Sequence, residues 1–134
     1  MTSGDRESDI RARLTEITGG EPPAGPERDL LGRLLVSYTS KTPVGIEQLE
    51  ALIHDGDVTG VRQLAHALKG SATNLGVTAL SRLFATVEDE ARAGRLPDPE
   101  PAMAAIHAEF ALVRPICTAV AHDLQSRQST ASAV

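Results

Sequence analysis

The chain has 134 residues, which is long enough for one domain and too short for two ordinary ones. Hydrophobic residues make up 41% and aromatic residues only 2%, so a β-sandwich or barrel is disfavoured and a helical core of Leu, Ala, Val and Ile is indicated. The formal net charge of −5, with no dense basic run, argues against a nucleic-acid surface, which has to neutralise phosphates with Lys and Arg.

The first two helical patterns are separated by a Gly/Pro-rich stretch. Apolar residues recur at helical spacing over residues 5–18, which predicts a first helix. The stretch 19–26 ends this helix, because its glycines and prolines break helical structure. A second pattern extends over residues 27–55 and contains Pro43, which either kinks one long helix or begins a new one.

Three further helices are predicted downstream. Asp57 suits the N-cap of a third helix over residues 58–75, and Gly76 suits its left-handed C-terminal end. A fourth helix follows over residues 77–93. After a proline-rich connection, a fifth pattern extends over residues 100–125.

The lengths of the helices and the short turns between them predict how they pack. Amphipathic helices joined by short turns pack as antiparallel neighbours. We therefore predict an all-α fold, an antiparallel up-down-up-down four-helix bundle with an additional N-terminal helix. Residues 1–26 would form that helix and a linker, residues 27–125 the bundle, and residues 126–134 a small and polar disordered tail.

The third helix has an apolar arc and, opposite it, a polar face with an unusual arrangement. His66 lies about 150° from the centre of the apolar arc, so its side chain is expected in solvent. Arg62 and Gln63 lie one turn before it on the same surface, and Lys69 and Gly70 one turn after it. An exposed imidazole thus has a basic neighbour at +3 and no side chain at +4.

This arrangement suits a phosphoryl acceptor. An unprotonated imidazole nitrogen is a good nucleophile near neutral pH, and a phosphoryl group would add nearly two negative charges there. Lys69 can partly neutralise that charge, and Gly70 leaves room for another protein to approach the ring. The alternative reading is a merely solvated histidine, with a glycine that serves close helix packing.

The residues around His66 resemble the signature of histidine-containing phosphotransfer (Hpt) domains. Residues 65–76 read AHALKGSATNLG, with His, Lys at +3, Gly at +4 and Gly at +10 in register with that signature. The resemblance extends over residues 27–124. It implies that His66 accepts the phosphoryl group, that Lys69 steadies it and that Gly70 gives access to the ring.

The resemblance also implies a function and partners. It implies a phosphorelay intermediate that exchanges a phosphoryl group with a receiver-domain aspartate, with response-regulator receiver domains and a hybrid sensor histidine kinase as partners. Such a carrier has no ATP site or cofactor of its own, and Mg²⁺ is expected on the receiver domain. Arg62, Gln63 and Thr73 are expected to contact the partner. The alternatives are a phosphorylation-independent helical scaffold that binds a receiver or sensor kinase, and a purely structural adaptor.

The remaining chemistry-bearing residues predict no second site. The lone Cys117 falls on an apolar stripe and is expected to be a buried thiol. The sequence contains neither an HExxH pattern nor a pair of histidines at i, i+4, so these patterns give no indication of a metal site. The acidic run 88–90 could pair with Arg92 or Arg95 or face solvent, and it is interpreted as a solvated face rather than as a group for acid–base chemistry.

The N-terminal residues lack the apolar core of a signal peptide. No apolar run is expected to approach the roughly 20 residues that cross a bilayer. From the sequence we therefore expect a cytoplasmic protein, or a soluble piece of a larger cytosolic assembly, that does not bind a membrane. We also expect a monomer that does not bind nucleic acid.

Overall fold

A computed structural model describes the backbone of residues 1–133 and the side chains of residues 1–126. Within that part of the chain there are five helices and no strand, which confirms the predicted all-α class. The helices are α1 (Ser3–Ile17), α2 (Pro26–His54), α3 (Val58–Asn74), α4 (Thr78–Arg92) and α5 (Pro99–Ala133). The last helix extends past the predicted end at residue 125. The disordered tail was predicted for residues 126–134, and it stays a prediction because the side chains of residues 127–134 and the backbone of residue 134 lie outside the described part of the chain.

Helices α2 to α5 form the predicted up-down-up-down bundle. Short turns at residues 55–57 and 75–77 reverse the chain between successive helices. At one end of the α2–α5 pair, the Arg28 guanidinium donates to the main-chain oxygen of Leu124. At the other end, Glu50 Oε1 lies 3.4 Å from His107 Nε2. These contacts join the start of α2 to the end of α5 and the reverse, so the two helices are antiparallel.

Pro43 lies within α2, which continues from Pro26 to His54 as one helix. The structure thus decides between the two readings that the sequence leaves open. A proline inside a helix removes one main-chain hydrogen bond. Burial of the α2 apolar stripe against α3 and α5 offsets this loss, because packing contributes more to helix stability than local propensity.

Helix α5 is the most apolar helix of the bundle. Over Pro99–Ser126 it is long and apolar enough to cross a membrane by length and composition alone, so the expectation that no such run exists was wrong. Most of its larger apolar side chains nevertheless pack against the other helices, as expected of the core helix of a bundle, whereas Leu112 is exposed. The buried ones are Met103, Ile106, Phe110, Val113, Cys117, Val120, Ala121 and Leu124.

Helix α1 packs along α5 and against the turn between α3 and α4. Ile10 and Leu14 are buried in the common core. Arg6 makes a bidentate ion pair with Glu109 of α5, with Nε 2.7 Å from Oε2 and Nη2 2.9 Å from Oε1. At Gly76 the backbone is left-handed (φ 76°), and a Cβ there would lie 2.5 Å from the main-chain oxygen of Asp9. Glycine is therefore required where α1 crosses this turn.

Candidate functional site

The orientation of α3 is set by its cap and by its apolar stripe. The Asp57 carboxylate accepts a hydrogen bond from a main-chain N–H of the first turn, as predicted for an N-cap. Val61, Ala65 and Ala72 are buried, which confirms the predicted core face. His66 consequently lies on the outer surface, and its side chain is 67% exposed.

A buried carboxylate from α4 lies against the His66 ring. Glu88 is only 1% exposed, and its Oε2 is 2.7 Å from His66 Nδ1. The same oxygen accepts a hydrogen bond from Arg92 Nη2 at 2.7 Å, and Oε1 forms an ion pair with Lys69 Nζ at 2.6 Å. One carboxylate thus joins three nitrogen groups from two helices.

The charge state of Glu88 determines which nitrogen of His66 carries the proton. The ion pair with the Lys69 ammonium, together with the His66 contact, outweighs burial and holds the pKa of Glu88 below its ordinary value. Glu88 is therefore ionised at neutral pH and can only accept hydrogen bonds. Nδ1 of neutral His66 must then donate its proton to Glu88, which leaves the lone pair on Nε2.

The interpretation of residues 88–90 as a solvated face was wrong for Glu88. It holds for Asp89, whose side chain is 74% exposed. The position of Glu88 along α4 is the signal that could have indicated its burial. Glu88 lies four residues after Phe84, on the stripe that α4 buries. A charged residue at a core position of a helix indicates a buried and partnered charge.

The cleft beside His66 gathers some of the predicted partner-binding residues. Arg62 and Gln63 line it together with His66, Glu88 and Arg92. The third predicted contact residue does not line this cleft. It lies farther along α3, near the start of α4.

That third residue, Thr73, is paired with a side chain of α4. Its Oγ1 is 2.6 Å from Ser81 Oγ, and both hydroxyls lie two turns of α3 away from His66. Thr73 therefore extends the exposed face of α3 beyond the cleft.

Gly70 lies on the exposed surface next to His66, and a Cβ added there would meet no atom within 4 Å. Within the described residues no neighbouring helix packs against Gly70, so close helix packing does not explain this glycine. The open space agrees with the interpretation that Gly70 leaves room for a partner beside the ring.

Two substitutions at Gly70 are expected to separate stability from access. Gly70→Ala should raise the free energy of unfolding by up to about 1 kcal/mol, because alanine favours the helix. Gly70→Gln should leave the bundle folded and block phosphoryl transfer from another protein. Thermal melts and transfer rates measured on the same variants check this. Loss of both stability and transfer in Gly70→Gln would contradict the access interpretation.

The other candidate groups outside this site form no metal centre. Among the residues that the structure describes, no three His, Cys, Asp or Glu side chains are grouped so that they could hold a metal ion. His54 and His107 both lie near Glu50, on the surface. Cys117 is buried as predicted, and burial raises the pKa of its thiol to about 11.

Comparison with known proteins gives one result. A search of curated proteins and a search of solved structures found no match for the chain. The family profile of the Hpt domain matches residues 33–115, more than half of the chain, and this match includes His66, Lys69, Gly70 and Glu88. An Hpt domain is a phosphoryl carrier, not a kinase, and implies a phosphotransfer role in a phosphorelay. The chain therefore belongs to the Hpt domain family.

Proposed function

We propose that this protein is a phosphorelay intermediate. Nε2 of His66 accepts a phosphoryl group from a receiver-domain aspartate, and the group then passes from His66 to the aspartate of another receiver domain. The observation that carries the proposal is the 2.7 Å contact between His66 Nδ1 and the buried carboxylate of Glu88. It fixes the proton on one ring nitrogen of an exposed imidazole and keeps the other nitrogen nucleophilic.

The transfer step balances without a co-reactant on this chain. The lone pair on His66 Nε2 attacks the phosphorus of the aspartyl phosphate. The N–P bond forms as the P–O bond to the aspartate breaks, and the aspartate leaves as a carboxylate. The proton on Nδ1 stays in its hydrogen bond to Glu88, so the ring of the phosphorylated form is positively charged and the carboxylate neutralises it.

The partner would supply the rest of the chemistry. Phosphoryl transfer depends mainly on positioning and on neutralisation of charge, and a receiver domain would bring Mg²⁺ and its own carboxylates. Gly70 would let that domain approach the ring. Lys69 would steady both the Glu88 carboxylate and the phosphoryl group. We propose a cytoplasmic location, where a hybrid sensor histidine kinase and response regulators would exchange the phosphoryl group with His66.

Lys69→Ala is expected to slow phosphoryl transfer and to lower stability in a pH-dependent way. The Lys69 ammonium lowers the pKa of Glu88, so this stabilisation is present above the ordinary carboxyl pKa and is lost as the pH falls through the lowered value. The variant should be about 1 kcal/mol less stable at neutral pH and equal to the wild type in acid. Urea unfolding over a pH series measures the difference, and a pH-independent difference would contradict this account.

Incubation with a panel of receiver domains that carry a radiolabelled phosphoryl group tests the proposed function. We expect transfer of label to the protein in a form that acid releases and alkali does not, as for a phosphoramidate bond to histidine. Binding of receivers without any label would instead support the phosphorylation-independent scaffold. Neither binding nor label would leave only the structural adaptor.

A further inference from the structure

The two cations nearest to Glu88 are already paired in the unphosphorylated protein. Lys69 Nζ lies 2.6 Å from Oε1 of Glu88, and Arg92 Nη2 lies 2.7 Å from Oε2. If both turned toward a phosphoryl group on His66, they would leave an ionised carboxylate that is 1% exposed with the His66 ring as its one remaining partner among the described residues. Loss of two partners from a buried carboxylate is costly, so these two cations are not fully available to the phosphoryl group.

Arg62 is a third cation beside the ring, and it has no charged partner among the side chains that the structure describes. It lies one turn before His66 on the same exposed face of α3, and it lines the same cleft. Within residues 1–126, the part of the chain with described side chains, Arg62 has no ion pair and no side-chain hydrogen bond. Its guanidinium can therefore turn toward Nε2 without breaking an ion pair or a hydrogen bond that the structure describes.

We propose that Arg62 binds the phosphoryl group on His66 and stabilises the phosphorylated form of the protein. This inference rests on the proposed function of His66. A phosphoryl group carries nearly two negative charges, and a guanidinium can donate two parallel hydrogen bonds to its oxygens. Because Lys69 and Arg92 are held by Glu88, Arg62 would supply the additional positive charge that the phosphoryl group requires.

The equilibrium constant for transfer between a receiver domain and His66 tests the proposal. A residue that only helps the two proteins dock acts on both directions of transfer, so its loss changes rates and leaves the equilibrium constant unchanged. A residue that binds the phosphoryl group on His66 stabilises one side of the equilibrium. Arg62→Ala is therefore expected to shift the equilibrium toward the phosphorylated receiver by about fivefold.

Two further variants test whether the shift depends on the guanidinium of Arg62 or only on the net charge of the protein. Arg62→Lys keeps the charge and loses the paired donors, so we expect a shift smaller than that of Arg62→Ala. Arg33→Ala is the matched control, because Arg33 is an exposed arginine on α2 that pairs with Asp29. Its removal changes the net charge equally and should leave the equilibrium unchanged.

The possible outcomes separate this inference from the proposed function. An unchanged equilibrium constant in Arg62→Ala, or an equal shift in Arg33→Ala, would overturn the role of Arg62 and leave His66 as the acceptor. If the wild-type protein takes no label from any receiver, the proposed function fails, and the role of Arg62 fails with it. A shift confined to the Arg62 variants, with partial recovery in Arg62→Lys, would support the inference.

Discussion

His66→Gln is expected to abolish phosphoryl acceptance and to leave the bundle folded. Glutamine has no nucleophilic ring nitrogen, so no label should pass from a phosphorylated receiver to the variant. The His66 side chain is 67% exposed and adds nothing to the core. Glu88 also keeps Lys69 and Arg92 as partners, so the free energy of unfolding should change by no more than about 0.5 kcal/mol.

A second histidine provides the control for this experiment. His107 is also exposed and also lies beside a glutamate, with its Nε2 3.4 Å from Glu50 Oε1. His107→Gln should therefore take up label as the wild type does. Label on the His66→Gln protein would show that another residue accepts the phosphoryl group. A large loss of stability would show that the ring holds Glu88 in place.

The part of the site that lies on one helix could be predicted from the sequence. Helical periodicity places His66 opposite the core face of α3, and the structure confirms this because the orientation depends only on residues within that helix. The open surface at Gly70 could be predicted for the same reason, because it also depends on the position of the residue around α3. Local sequence also placed the Asp57 cap and the end of α3 at Asn74 to within one residue.

The part of the site that depends on packing between helices could not be predicted in the same way. Glu88 lies 22 residues after His66, and only the pairing of α3 with α4 brings the two together. The position of α1 could not be predicted from the sequence either, because the Gly/Pro-rich residues 19–26 allow many placements of this helix. The contacts of Ile10 and Leu14 with the core select one of them.

Glu88→Ala is expected to slow phosphorylation of His66 by about 10- to 100-fold. The alanine variant removes the acceptor of the Nδ1 proton, so the ring can rotate and the proton can move to Nε2, where it blocks the nucleophile. It also removes the shared partner of Lys69 and Arg92. Because both cations can reach solvent, we expect a loss of only about 1–2 kcal/mol in the free energy of unfolding.

Glu88→Gln distinguishes the hydrogen bond from the charge. Its amide oxygen can still accept the Nδ1 proton, so the rate of phosphorylation should lie between those of the wild type and Glu88→Ala. Glu90→Gln is the matched control, because the same atoms change about 200° around the same helix. Initial rates of label transfer from one receiver domain to all four proteins provide the measurement. If Glu88→Ala is phosphorylated as fast as the wild type, the buried carboxylate does not select the ring nitrogen, because an imidazole free to rotate and to exchange its proton then serves equally well.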